Sequence, residues 1–250
     1  MYLNNSSFFR NIPPVTLNLL ILNVLIYIVM ALSPAIDLTL TRRCALFYFT
    51  SPNFMPWELI TYMFLHGSFG HLFFNMFALL MFGTTIERTM GSARFLFFYL
   101  TCGICAALVQ TVVFAVMIHR LTEIIADPEL CDYAAALGFP PPADVYLPTE
   151  AVSLYYYVNT PMLGASGAIY GVLLAFGFLF PNAPVYLFFI PIPIKAKWLI
   201  IGYFVLELVY GISDTASGVA HFAHLGGMIF GFLLLVYWKK KGVFSNHWFF

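Results

Sequence analysis

Gly164-Ala165-Ser166-Gly167-Ala168-Ile169-Tyr170-Gly171-Val172-Leu173-Leu174-Ala175-Phe176-Gly177-Phe178-Leu179-Phe180, followed by Pro181, is the stretch on which the fold turns. It is apolar and uncharged, and it opens on a Gly-x-Ser-Gly turn. Residues 166–180 would make a helix of about 22 Å at 1.5 Å per residue. The hydrocarbon of a bilayer is about 30 Å thick. A helix of this length that ends at one face starts about 8 Å beneath the other. Non-helical backbone at that depth is tolerated only where protein buries it or water reaches it. The segment therefore predicts a short helix inside a membrane bundle, with a cavity open to the outside above Ser166.

The rest of the chain supports a membrane solvent. Hydrophobic residues make up 62% of the 250 and charged residues 9%, against about 25% charged in a soluble domain. The net charge is zero, so no nucleic-acid partner is implied. Six spans are expected, at residues 15–32, 69–86, 95–118, 166–180, 198–212 and 219–238. Arg10, Arg88, Arg94, Lys195, Lys197, Lys239, Lys240 and Lys241 then share one side, and only Arg42, Arg43 and Arg120 lie on the other. That bias puts both termini in the cytoplasm.

The expected organisation is a cytoplasmic tail at 1–14, a six-helix membrane domain at 15–238 and a second tail at 239–250. The first apolar run reads as a retained signal anchor, since no small-residue cleavage site follows it. With no organelle-import segment recognised, a bacterial plasma membrane is the expected location.

Two long outer loops join the spans. The one at 34–67, with aromatics and Pro56-Trp57, is expected to lie partly in the interface. The one at 120–160 is acidic and holds Pro140, Pro141 and Pro142, which argue against one long helix. Cys102 and Cys105 form a C-x-x-C inside an apolar helix and read as packing residues rather than a redox or metal site. Cys44 and Cys131 fall in the loops and are not expected to pair.

Ser166 and His224 are the candidate catalytic residues. His224 lies six residues beyond Gly218, where span six begins, or about 9 Å down. That depth agrees with the estimate for Ser166. Gly167 and Gly171 follow the serine as G-x-x-x-G, and Gly227 and Gly231 repeat the pattern after the histidine. Such spacing lets helix backbones approach closely. Serine becomes a nucleophile when a base takes its proton, and a neutral imidazole can take it and return it to a leaving amine. With no acid near either residue in sequence that suggests a third member, Asp214 included, a two-residue dyad is the simpler reading. The oxyanion needs donors. The Ser166 backbone N–H at a helix start is one. His71 and Asn75, spaced i, i+4 on span two, are two more. Tyr170, four residues after Ser166, is placed to stack on the His224 ring.

These residues closely resemble the rhomboid family of intramembrane serine proteases. The resemblance rests on Gly164-Ala165-Ser166-Gly167-Ala168-Ile169-Tyr170-Gly171, on Ala223-His224-Leu225-Gly226-Gly227 with Gly231, and on His66-Gly67-Ser68-Phe69-Gly70-His71-Leu72-Phe73-Phe74-Asn75. Glu87-Arg88 with Gly91-Ser92, and Pro191-Ile192-Pro193-Ile194-Lys195, extend it over nearly the whole core. It implies an all-α, six-transmembrane-helix bundle with Ser166 as nucleophile and His224 as base. It also implies that His71, Asn75 and the Ser166 N–H serve the oxyanion, that Gly164 permits close approach in the turn, and that Tyr170 packs against the base. The implied partners are the lipid bilayer and transmembrane-helix proteins cut near the outer face beside a small residue. No cofactor or metal is implied, and the oligomeric state is left open. One departure stands out: the family often has Trp-Arg where this chain has Trp57-Glu58.

Other readings remain at this level. Ser166 could be only a helix N-cap, and His224 only a polar bridge across the bundle. His221 could be the base instead, although it reads better as a rim residue. His66 is expected to satisfy loop backbone. Glu207 sits near the middle of span five, where an ionisable group is suspect by default. Its plainer reading is a neutral carboxyl facing the bundle, and a proton-linked role would favour a small transporter. A catalytically silent, client-binding relative is the other alternative to a protease.

Overall fold

The computed structural model describes residues 11–142, 144–187, 190–213 and 220–243. In chain order its elements are α1 (Pro14–Ala31), α2 (Pro34–Cys44), α3 (Glu58–Thr61), α4 (Phe69–Ala78), α5 (Thr84–Met90), α6 (Ser92–Ile125), α7 (Pro128–Ala136), α8 (Thr149–Asn159) and α9 (Ser166–Leu179). They continue with β1 (Pro184–Leu187), β2 (Ile190–Lys195), α10 (Ala196–Ser213) and α11 (His221–Lys240). A π turn at Leu79–Gly83 joins α4 and α5 into one apolar helix of 22 residues. That helix, α1, α6, α10 and α11 are each long and apolar enough to cross a membrane, and α9 is a shorter apolar helix. The chain is thus an all-α multi-pass membrane bundle, with one antiparallel hairpin among its described residues, β1–β2, between α9 and α10.

Helix ends follow local chemistry. Pro14 opens α1, and Glu87 at the far end of the paired helix caps it. Its Oε1 accepts from Val15 N at 3.0 Å and its Oε2 from Thr16 N at 2.7 Å. The Thr16 and Ser92 hydroxyls, each at 2.7 Å, complete the carboxylate's partners. Those amides belong to the first turn, which has no partners of its own. Ser68 caps α4 by accepting from His71 N at 3.2 Å, which fixes His71 in the first turn. α6 runs on to Ile125, past the expected end at 118. His119, Arg120 and Glu123 mark where apolar sequence stops, but no proline or glycine interrupts the helix before Pro128. The prolines at 140–142 separate α7 from α8, as their chemistry requires.

The two long connecting segments pack on the bundle. Residues 34–67 contain α2 and α3, and Ala45, Leu46 and Phe47 are buried. Leu46 and Met162 exchange N–H and carbonyl hydrogen bonds, each 2.8 Å. Gly164 N donates to Tyr62 O at 2.9 Å. Asn159, fully buried at the end of α8, accepts from the Ser51 hydroxyl at 2.8 Å and donates to the Ala134 and Ala135 carbonyls. The chain entering Ser166 is therefore held from two distant parts of the sequence. Glu58, at the departure from the family pattern, is also structural. It is buried and its Oε2 accepts from Phe47 N at 3.0 Å. Burial pushes its carboxyl up to about 7.

α9 sits at the centre, walled by α6 and α11, and buries nine of its 14 residues. The glycines explain how. A Cβ on Gly227 would lie 1.9 Å from the Gly167 carbonyl oxygen, and one on Gly171 would lie 3.1 Å from the Gly227 oxygen. α9 and α11 thus meet backbone to backbone. The same Gly171 Cβ would lie 2.5 Å from Cys102 Sγ, so Cys102 fills the space that the glycines leave. All four cysteine thiols are unpaired.

Candidate active site

The site draws on α4, α9, α10 and α11 and on the turn before α9, and the glycine contact sets the spacing of α9 and α11. Gly164 has φ +129°, a conformation that L side chains rarely adopt. A Cβ there would sit 2.6 Å from His71 Cε1, so the glycine lets the His71 ring lie over the turn. Ala165 is the residue before the helix and Ser166 its first residue, with no side-chain cap. This differs from the N-cap alternative. The serine hydroxyl instead lies 2.8 Å from His224 Nε2. Gly164, Ala165 and Gly167 are buried, whereas Ser166 keeps intermediate exposure.

His224 stands one turn above Gly227 on α11 and is buried. The Tyr170 ring stacks on it, with centroids 4.2 Å apart and planes 7° from parallel. On the other side, Gln110 of α6 accepts from the Ala223 N–H at 3.1 Å, fixing the helix start. The structure therefore brings Ser166, His224, Tyr170, Gly164 and His71 together. Asn75 is buried one turn beyond His71 on α4. Among the described residues no hydrogen bond joins it to Ser166 or His224. His66 lies edge-on to His71 at 5.0 Å. Its ring lies against the Phe64 backbone of the same connecting segment, although neither buried ring nitrogen completes a well-aligned hydrogen bond. Burial, and then the nearby His71, hold His66 down at about 3.

Glu207 is the residue that sequence reasoning placed least well. It lies on α10, which otherwise buries only Ala196 and Ile200 among its described residues. Its Oε1 accepts from the Tyr170 hydroxyl. Its Oε2 lies 2.6 Å from His221 Nδ1 and 3.0 Å from His224 Nδ1. The first contact is a hydrogen bond. The second is close but poorly aligned, since His224 Nδ1 completes no hydrogen bond. The carboxyl thus has two hydrogen-bond partners, the Tyr170 hydroxyl and His221 Nδ1, with His224 Nδ1 close by. The carboxyl faces the bundle, as expected from sequence, and is surrounded there by polar partners. His221 is buried against the same carboxylate and is not a rim residue. Asp214, Gly218 and Arg10 lie outside the described residues.

The candidate ligand atoms of Glu207, His221 and His224 lie within 4.8 Å of one another, so two histidines and a carboxylate share the spacing of a metal-binding set. Each of the three is already engaged. Glu207 holds the Tyr170 hydroxyl, His221 holds Glu207, and His224 holds Ser166.

Residues 53–139 and 143–241 match the family model described as the Rhomboid domain. Over 186 residues the chain is 29% identical to "Rhomboid protein 1, mitochondrial" of Saccharomyces cerevisiae, covering 73% of this chain and 42% of that protein. It is 33% identical over 171 residues to "RHOMBOID-like protein 12, mitochondrial" of Arabidopsis thaliana, covering 68% and 42%. It is 28% identical over 182 residues to "Rhomboid protease GluP" of Bacillus subtilis, covering 70% and 25%. The chain thus spans less than half the length of these relatives. Two of them carry a mitochondrial designation, so the expectation of a bacterial plasma membrane finds no support.

Proposed function

The chain belongs to the rhomboid family, and from that premise we propose that it is an intramembrane serine endopeptidase acting on transmembrane segments of other proteins. The observation that carries this reading is the 2.8 Å contact between Ser166 Oγ and His224 Nε2 at the start of a helix too short to span. Ser166 Oγ attacks the scissile carbonyl carbon while its proton passes to Nε2. The C–O bond forms and the carbonyl oxygen becomes an oxyanion. The Ser166 backbone N–H, His71 and Asn75 receive it, His71 from its place over the Gly164 turn. When the C–N bond breaks, Nε2 returns the proton to the departing amine. Water then repeats the sequence on the acyl-enzyme, with His224 again as base. Tyr170, stacked on the imidazole, limits its rotation.

In this reading the membrane domain has six spans over residues 15–238. α9 is the short fourth span, and the tails at 1–14 and 239–250 are cytoplasmic. The substrate is a membrane helix cut near the outer face beside a small residue. Reconstitution with a transmembrane-helix substrate tests the proposal. Cleavage is expected with the unmodified chain and is expected to fall to background in Ser166→Ala. Cleavage that continues unchanged in Ser166→Ala ends the protease reading.

A further inference from the structure

The serine and histidine account for nucleophile and base, but the mechanism leaves a buried carboxylate unused behind the base. Glu207 is 7% exposed on a helix whose neighbouring apolar residues face outward, including Leu206 at 48% and Leu208 at 38%. A charge inside a membrane span is costly, and it persists where it is paired and useful. Here its partners are specific. The Tyr170 hydroxyl holds Oε1, and His221 Nδ1 holds Oε2 at 2.6 Å. These two donors come from α9 and α11, so the carboxylate is fixed from both helices of the active site. The third neighbour of Oε2 is Nδ1 of the base, 3.0 Å away.

We propose that Glu207 is a positioning residue for His224, held by Tyr170 and His221, so that the site works as Ser166–His224–Glu207 and not as an isolated pair. The inference rests on the protease reading above. Its chemistry follows from the tautomer. An acceptor at Nδ1 favours the imidazole form with its proton on Nδ1 and Nε2 bare. Bare Nε2 is the form that can take the Ser166 proton. When Nε2 does so, the ring becomes a cation, and the carboxylate at 3.0 Å stabilises it. A small rotation of the imidazole against the stacked Tyr170 ring aligns Nδ1–H with Oε2. The proton on Nδ1 stays there through the cycle, and Glu207 remains ionised.

Tyr170 therefore has two tasks: its ring stacks on the base and its hydroxyl fixes the carboxylate. His221 supplies the second fixing bond, which accounts for a histidine buried one turn before the base. The signal lay in the sequence as one ionisable residue in span five and two histidines at i, i+3 in span six.

A purely structural carboxylate that pins α10 to its neighbours makes different predictions. The test compares Glu207→Gln and Glu207→Asp with the unmodified chain in liposomes, reading kcat and KM for a transmembrane substrate, Ser166 labelling by a fluorophosphonate, and thermal unfolding. Glu207→Gln keeps an acceptor for Tyr170. It is expected to lower kcat and the labelling rate about 100-fold while KM changes less than about 3-fold. Glu207→Asp is expected to recover part of that loss. Equal kcat in Glu207→Gln, or a loss confined to KM and unfolding temperature, overturns the proposal. Nitrogen-15 NMR of the unmodified chain tests it without a variant. His224 is expected with its proton on Nδ1, and a proton on Nε2 overturns it. An unmodified chain that neither cleaves nor labels defeats the protease reading and this inference together. One that does both, with Glu207→Gln equally fast, defeats the inference alone.

Discussion

Replacing Gly227 by alanine puts a methyl carbon 1.9 Å from the Gly167 carbonyl oxygen. Carbon and oxygen in close helix contacts approach to about 3.3 Å, so the backbones must part by about 1.4 Å. The obstacle is main chain and cannot swing aside. Ser166 is the residue before Gly167, and His224 lies one turn before Gly227, so the displacement is delivered to the catalytic pair. The 2.8 Å contact would open towards about 4 Å, beyond hydrogen-bonding distance. Misplacement of about 1 Å in a catalytic group can cost about 100-fold, and overpacking costs about 1–3 kcal/mol of stability. Gly227→Ala should therefore lower cleavage and Ser166 labelling by about 100-fold while much of the protein stays folded. Gly202→Ala is the control, since a Cβ there meets nothing within 4 Å. It should leave both readouts unchanged. Full activity in Gly227→Ala would refute the claim that backbone contact between α9 and α11 sets the site.

Other consequences concern the connecting segments and the helix ends. Glu58 is ionised near 4.5 when unfolded but is held at about 7 when folded. Its contribution is complete below 4.5 and is lost as pH rises to about 7, so the stability of the unmodified chain relative to Glu58→Gln should fall across that window. A flat difference between pH 4.5 and 7 would contradict the burial argument. His66 acts in the opposite sense: with its ring held at about 3, the stability it contributes is lost as pH falls from 6.5 towards that value. Unfolding of His66→Phe should be less acid-sensitive over that range, and equal sensitivity would count against it. Glu87→Ala strands the Val15 and Thr16 amides and should cost about 2–4 kcal/mol in reversible detergent unfolding. A change below about 0.5 kcal/mol would show that water replaces the cap. Gly164→Ala should abolish cleavage, because φ +129° and the 2.6 Å approach to His71 both oppose a side chain. Retained cleavage would show that the turn can rearrange.

What could be read from sequence was whatever a local pattern carries. The short span at Ser166, the paired G-x-x-x-G segments and the i, i+4 stacking partner at Tyr170 are each encoded within a few residues. The structure joins them through the Gly167–Gly227 contact. Glu207 was visible only as an anomaly. Its partners Tyr170 and His221 are 37 and 14 residues away, and no periodicity within α10 points to either. The same limit applies to Glu58. It stands where the family often has arginine, and no neighbouring residue in the sequence shows that its carboxyl turns inward to Phe47 N, 11 residues away. Hydropathy marks a span and not a helix end. α6 continues to Ile125 because the polar residues after Ile118 still favour a helix. The hairpin β1–β2 was missed because its prolines weaken the strand signal and its pairing is defined only once both strands are in place.

The central claim is that Ser166 is an activated nucleophile and that His224 activates it. Mass spectrometry of the detergent-solubilised chain after fluorophosphonate treatment tests this most directly. A single covalent adduct is expected on the peptide containing Ser166, and it should disappear in His224→Ala while the variant remains folded. An unlabelled Ser166, or labelling that persists at the same rate without the imidazole, would contradict it.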